Sequence, residues 1–393
     1  MKLFNFRFSL FQCCIWIVFF VLTGCISKPS NELQIVLKDT VVAENPSQVT
    51  VSVSDNKTLG ANLKVRGGYS RMYPKNSYEL SLDSEVSLYG LAADDDWILN
   101  ANYIDKTFLR HTVSFSIFRS MSINNLSPKF KYVDLYINQD YQGLYVLMEK
   151  MDKSTLLAGI SDSSSFIFKE PHLFRSSYLR INQSDTLNFH HQTFPNTSKV
   201  NKRDEIDTLR SFIINASDSL FSSHVFQIFD MQNIIDWNIL LLLSNNSDGI
   251  LKNFYMYKVN SQTPIRIAIW DYDHSFGRDG NNELNLNTRK LDVTRSILFK
   301  RLYQFSWYQT MLAQRWLSLN ESDVLSLNGL QNRFLAEHQI IVEQAIKNES
   351  LWSNSSSNYF DKNNLFQEMG IISDFLELKH EELDFYFQNI LLD

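Results

Sequence analysis

The residues best suited to chemistry lie between Asn245 and Gly277. Asp248 and Asn253 stand five positions apart in a polar stretch that directly follows a long apolar run, and the segment closes with Trp270-Asp271-Tyr272-Asp273-His274-Ser275-Phe276-Gly277. Asp271 follows Ile265-Arg266-Ile267-Ala268-Ile269-Trp270, whose isoleucines alternate as on one face of a strand. A carboxylate at a strand end, a second in the preceding turn and an amide oxygen five residues after it supply hard oxygens from two chain segments. Mg²⁺ takes a few such oxygens and completes its shell with water and substrate phosphates rather than with a closed protein cage. These are the parts of a phosphoryl-transfer site: one carboxylate to take a hydroxyl proton, another with an amide to hold metal. Asp248 and Asn253 also fit plain turn chemistry after a helix, because Asn-Asn-Ser-Asp-Gly is ordinary turn sequence.

A second polar stretch has charge of the opposite sign. Arg66-Gly67-Gly68-Tyr69-Ser70-Arg71-Met72-Tyr73-Pro74-Lys75-Asn76 joins two expected strands. Backbone N–H groups near glycines and the fixed charges of Arg and Lys suit anionic oxygens. The alternative is a basic hairpin turn on the surface.

Elements that position these residues follow from periodicity. Leu33–Leu37, Gln48–Val53, Ala61–Val65 and Ser77–Leu82 alternate with period two between Asn, Gly, Pro and Asp, which predicts an antiparallel sheet. The spacing from Asp105 to Met121 predicts a helix, with Asp105 able to cap its start. Tyr132–Ile137 and Gly143–Met148 flank a turn and predict a hairpin. From Asp204 onward the texture is helical: Glu205–Ala216, a buried helix over Met231–Leu243, and helices from Leu298 to the end, around the hairpin that carries the acids.

The first residues read as an export signal. Lys2 and Arg7 precede an uncharged apolar run from Phe8 to Leu22, and Leu22-Thr23-Gly24-Cys25 resembles the lipobox of bacterial lipoproteins. Cleavage before Cys25 and its acylation would anchor the chain stably, since several acyl chains add on the order of 0.8 kcal/mol per buried CH₂. All three cysteines lie at or before this site, so processing leaves no thiol for a disulfide, a zinc site or a nucleophile. Processing also takes the formal charge from −6 to −8, and no basic stripe suggests nucleic acid. Ile26 lacks the aspartate that retains lipoproteins at an inner membrane, so an outer-membrane location is expected in a double-membraned cell.

Taken in order, Arg66-Gly67-Gly68-Tyr69-Ser70, Pro74-Lys75-Asn76-Ser77-Tyr78, Trp97-Ile98-Leu99-Asn100-Ala101-Asn102, Gly143-Leu144-Tyr145-Val146-Leu147-Met148-Glu149 and Trp270-Asp271-Tyr272-Asp273 resemble the motifs of the CotH kinase family. The resemblance spans about residues 60 to 280 and continues weakly beyond. It implies an α+β, atypical protein-kinase-like two-lobe fold: an N-terminal antiparallel sheet lobe over 34–152 and a mainly helical C-terminal lobe over 153–393, after a signal over 1–24 and a tether over 25–33. It implies transfer of the γ-phosphate of ATP, with Mg²⁺ or Mn²⁺, to Ser or Thr of an exported or surface protein. By the same resemblance Asp271 is the metal-binding aspartate, helped by Asp273. Asp248 is the catalytic aspartate, and Asn253 binds the second metal. Lys75, with Arg66 and Arg71, contacts the nucleotide phosphates, and Glu149 serves an adenine-side or lobe-pairing role. Gly68 and Asn76 depart from the family's Asn and Lys, which weakens the phosphate contacts in this loop, and Phe375–His380 in the terminal helix lacks the arginine the family would place there. Two other classes fit parts of this pattern: a catalytically silent surface protein that binds a partner, and a glycosyltransferase using Asp271-Tyr272-Asp273 as a metal-binding Asp-x-Asp. The latter normally places that motif after a βαβ unit, whereas hairpins and a long helix precede it here.

Overall fold

The computed structural model describes residues 31–38, 45–53, 58–176, 191–278, 291–353 and 363–392. The expected export signal, Cys25 and the tether up to residue 30 lie outside them. Among the described residues no helix is long and apolar enough to cross a membrane.

Period-two alternation builds a closed barrel. Its strands are β1 (Glu32–Leu37), β2 (Ser47–Val53), β3 (Thr58–Arg66), β4 (Ser77–Val86), β5 (Asp94–Asn100), β6 (Phe130–Ile137) and β7 (Asp140–Glu149), in the order β1-β2-β3-β4-β5-β7-β6. Neighbours are antiparallel except where the ring closes: β1 pairs with β6 in parallel, Leu33 opposite Leu135 and Ile35 opposite Ile137. The antiparallel sheet expected from the sequence is therefore corrected at this seam. Parity requires it, because six antiparallel steps round a ring of seven strands bring the last strand back pointing the same way as the first. Closure removes the unpaired edges that an open sheet would expose.

Alternate residues fill the barrel. Leu80 lies between Leu63 and Trp97, and Leu99 opposite Leu147, all without solvent contact. The other faces of β5 and β7 send Ile98, Val146 and Met148 into a second, larger core, so one wall serves both. Each such apolar side chain stabilises the fold by about 1.5–3 kcal/mol relative to exposure.

The second core takes in α1 (Leu109–Met121), which lies between β5 and β6 in sequence, and a four-stranded sheet. That sheet has the order β11-β10-β8-β9, from β8 (Phe166–Lys169), β9 (Gln192–Phe194), β10 (Phe254–Lys258) and β11 (Arg266–Ile269). Around it pack α2 (Lys153–Leu157), α3 (Arg203–Asn215), α4 (Asp218–Ile228), α5 (Met231–Ser244), α6 (Ile297–Leu302), α7 (Ser306–Glu321), α8 (Leu327–Trp352) and α9 (Leu365–Leu392). The architecture is mixed α+β, with the helices concentrated in the C-terminal part. Helix α5 is buried nearly all round, as its run of Ile, Trp and Leu requires. Asp230 caps its start by accepting from Asn233 N–H at 3.3 Å, and Asn245 ends it in the left-handed conformation. Asp236, fully buried in α5, accepts from Arg315 Nε at 2.8 Å, which compensates a charge that would be costly alone.

Two local expectations shift. Helix α1 begins at Leu109 rather than Asp105, because Phe108 turns the chain at φ 60°; the Asp105 carboxylate ties that turn by accepting from the N–H groups of Thr107 and Arg110. The β6–β7 hairpin turns on Asn138 and Gln139 alone, with φ 52° and 72°. Positive φ at both central positions matches the twist of the strands they join.

Candidate active site at the end of a buried hairpin

The hairpin of β10 and β11 brings Asn253 and Asp271 together. Phe254 pairs with Ile269, so the flanking residues meet: Trp270 N–H donates to the Asn253 carbonyl at 2.9 Å, and Asn253 Nδ2 donates to the Asp271 carbonyl at 2.8 Å. Both residues hold positive φ, 62° for Asn253 and 58° for Asp271. Such conformations cost energy outside glycine, least for Asn and Asp, and persist where surrounding bonds enforce them. Glu170, just after β8, adds one such bond, its Oε1 accepting from Asn253 N–H at 3.2 Å.

Three ligand-type side chains converge beyond Asp271. One ligand atom each from His111, Asp271 and Asp273 lie within 4.8 Å of one another, and His111 Nε2 is 3.9 Å from Asp271 Oδ1. Asp271 is 46% exposed, whereas His111 is 1% exposed and neither of its ring nitrogens has a hydrogen-bond partner among the described residues. Burial pushes the Asp273 carboxyl up, and the neighbouring Asp271 charge pushes it further. Paired carboxylates beside an unbonded buried imidazole form a donor set that a divalent cation satisfies. The residues therefore fit a metal.

A buried ionic network fixes these parts. Arg110, next to His111 on the first turn of α1, donates through Nε to the Ser275 carbonyl at 2.9 Å, through Nη1 to Asp105 Oδ1 at 2.8 Å and through Nη2 to Glu368 Oε2 at 2.9 Å. Arg278 also pairs with Glu368. One arginine thus joins α1, the loop carrying Asp271 and Asp273, and α9. Burial works against the Glu368 charge, but Arg110 and Arg278 outweigh it and hold the carboxyl down at about 2.

The glycine-containing loop between β3 and β4 approaches the acids. Arg66 places its guanidinium 5.5 Å from the centre of the Trp270 ring, adjacent to Asp271. Tyr73 stacks on Tyr103 at 5.3 Å, and burial, then the Asp273 charge, push its phenol up to about 12. Arg71 lies exposed on the short helical turn Tyr69–Met72. Lys75 does not face the same way. The residue is 2% exposed, and its ammonium donates to the carbonyls of Ala101 (2.8 Å) and Leu144 and lies 4.2 Å from the Tyr145 ring and 4.9 Å from the Phe108 ring. Burial pushes it well below the ordinary lysine value. Contact with a phosphate requires that it leave this cage.

Asp248 opens a short helical turn after α5, 23% exposed, with Lys252 Nζ at 2.9 Å from its Oδ2. Glu149 ends β7, 8% exposed, and accepts from Lys129 N–H at 2.9 Å, so its carboxylate holds the start of β6. Of the residues expected from sequence, the fold gathers Asp271, Asp273 and Asn253, with Arg66 close by, and places Lys75 and Glu149 in structural bonds. Sequence reading missed His111, Glu170 and Glu368. The signal for the first was a histidine beside an arginine on the opening turn of an otherwise apolar helix.

The CotH kinase protein family matches residues 63–383 of the chain. Inner spore coat protein H of Bacillus subtilis (strain 168) is 23% identical over 253 residues, covering 63% of this chain and 67% of that protein. A crystal structure of the Golgi casein kinase aligns at 10% identity with a TM-score of 0.31, over 91% of this chain and 72% of that one, a likeness too loose to define the fold.

Proposed function

Because the chain belongs to the CotH kinase protein family, we propose that it transfers the γ-phosphate of ATP to a Ser or Thr hydroxyl of an exported or surface protein, from a lipid-anchored position outside the cytoplasm. The observation that carries this reading is the bond from Asn253 Nδ2 to the Asp271 carbonyl at 2.8 Å. It makes one rigid unit of two residues that kinase chemistry places on metal, and the first of them, Asn253, stands five positions after Asp248 in a partly exposed turn.

The side chains divide the work by exposure. Asp248 is accessible enough to orient a substrate hydroxyl and accept its proton, and Lys252 Nζ lies 2.9 Å from its Oδ2. Asp271, Asp273 and the free oxygen of the Asn253 amide would hold Mg²⁺ or Mn²⁺, whose charge offsets that on the phosphates. Arg66 and Arg71, on the loop between β3 and β4, would supply positive charge for anionic oxygens. Lys2, Arg7, the apolar run and Cys25 support export and acylation, with the outer membrane as the destination in a double-membraned cell. Recovery in the inner membrane after fractionation would overturn that placement.

Phosphorylation is read directly. The full chain, incubated with radiolabelled ATP, Mn²⁺ and exported proteins of its own cell, is expected to label a Ser or Thr. Asp271→Ala and Asp248→Asn are expected to lower labelling roughly a hundredfold or more. Equal labelling by all three proteins sinks the catalytic assignment. The caged Lys75 favours a second reading, a partner-binding protein of the same fold. That reading wins if ATP with Mn²⁺ leaves the melting temperature unchanged while a surface protein raises it.

A further inference from the structure

The geometry points to His111 Nε2 as a metal ligand alongside the carboxylates of Asp271 and Asp273, a mixed imidazole and carboxylate site that selects a first-row transition ion over Mg²⁺. This rests on reading the Asp271 loop as a metal site, and it adds a ligand from α1 that the acid motif does not contain.

Burial supplies the first argument. His111 is 1% exposed, and neither ring nitrogen finds a donor or acceptor among the described residues. A buried polar group left unbonded costs about 1–3 kcal/mol, so a native fold keeps one where it has a use. The neighbouring apolar packing offers no substitute: Phe115 meets the imidazole edge-on at 4.8 Å, which orients the ring without satisfying a nitrogen.

Distance supplies the second. The 3.9 Å between Nε2 and Asp271 Oδ1 is too long for a hydrogen bond. Two ligands each about 2.1 Å from a shared ion span such a gap. Asp273 completes the set, with the three ligand atoms within 4.8 Å of one another.

Rigidity supplies the third. Arg110 follows Leu109 at the start of α1, and its bond to the Ser275 carbonyl at 2.9 Å pins that first turn to the loop bearing Asp273, two residues earlier. The imidazole and the two acids are therefore held in one frame before any ion arrives.

Donor chemistry sets the preference. Mg²⁺ dehydrates reluctantly and takes oxygen, whereas imidazole binds the first-row transition ions well. The discriminating group is His111, since carboxylates serve both classes.

The test uses the full chain stripped with chelator. Mn²⁺ is titrated in while the signal of the free ion is followed by electron paramagnetic resonance, alone and against Mg²⁺ as competitor. The bound ion is then examined for magnetic coupling to a ¹⁴N nucleus. Wild type is expected to show histidine ¹⁴N coupling and to prefer Mn²⁺ at least about tenfold, and His111→Gln to lose the coupling and about tenfold or more in Mn²⁺ affinity. Because the coupling is read in wild type, the test survives a variant that fails to fold. Mn²⁺ bound without ¹⁴N coupling, or equal affinity for the two ions, overturns the assignment. Phosphate transfer is scored separately: coupling without transfer keeps the ligand and removes the kinase reading, and transfer without coupling does the reverse.

Discussion

Asn253 combines two properties that substitution can separate. Its backbone is left-handed and its amide holds the Asp271 carbonyl. Asn253→Gly keeps the first and removes the second, whereas Asn253→Ala removes the amide and adds about 1–2 kcal/mol of left-handed strain. Both are expected to abolish the rise in melting temperature on adding ATP and Mn²⁺, with Ala less stable than Gly by about that amount in urea unfolding. A difference near zero would mean that the hairpin end relaxes freely. Lys75 makes a second residue-scale case. Truncation to Ala leaves two carbonyls and two ring faces without their cation, so Lys75→Ala is expected to lose about 2–4 kcal/mol, while Arg71→Ala on the exposed turn stays within about 0.5 kcal/mol. A fully stable Lys75→Ala protein would return the lysine to the groups free to meet a phosphate. Asp248 and Asn253 were legible because they lie on one short segment. The cage around Lys75 was not, because its partners, Ala101 and Leu144, are 26 and 69 residues away.

Elements are joined near the site by buried charge as well as by apolar contact. Glu368 of α9 receives Arg110 of α1 and Arg278, and all three side chains are almost fully buried. Glu368→Gln leaves two guanidinium groups short of their counter-charge and is expected to lower stability by about 3–5 kcal/mol. The pH dependence has a definite sign. The folded carboxyl is held at about 2 against an ordinary value of 4.5, so its stabilisation is complete above 4.5 and is lost as the pH falls toward 2. The gap in melting temperature between wild type and Glu368→Gln is therefore expected to be widest near neutrality and to narrow in acid. A gap that is constant down to the lowest pH would remove the charge pairing from the account. Gly249, beside Asp248, shows packing at the same scale. A β-carbon there would meet Leu241 Cδ2 at 2.8 Å and the Tyr272 hydroxyl at 3.2 Å. Gly249→Ala is expected to cost about 1–3 kcal/mol and, on the proposed role of Asp248, to weaken labelling by displacing its turn. Strands were visible in the sequence through alternation, but the start of α1 was misplaced, because Phe108 breaks the helical pattern in its backbone and not in its residue type.

Across the whole molecule, closure of the barrel and its attachment to the helices decide the architecture. Leu33 and Ile35 of β1 form the seam with β6, so Leu33→Ala is expected to cost about 2–5 kcal/mol and to speed amide exchange at Leu135 and Ile137. Unchanged protection at those amides would mean that the seam contributes little. On the outside of the wall α8 clamps β7: Asn348 Oδ1 accepts from Leu144 N–H at 3.2 Å, and Trp352 Nε1 donates to the Gln142 carbonyl at 3.2 Å. Gly143, at φ 102°, has no side chain to obstruct that approach, since a β-carbon would come within 2.3 Å of Asn348 Oδ1. Leu144 therefore carries two attachments at once, its N–H to α8 and its carbonyl to Lys75.

By itself the sequence determined what is local or periodic: the strands, the buried α5, the offset from Asp248 to Asn253, the acid at a strand end, and motifs specific enough to point to the family. Tertiary structure alone decided which of these groups meet. Parity of the strand count made the seam parallel, burial drew Lys75 into a cage, and the packing of α1 brought His111 to Asp271, 160 residues further along the chain. The physical reason is that alternation and turn chemistry are set by neighbouring residues. A contact across so long a loop carries a closure cost that no single motif offsets, and only the summed burial of two cores does.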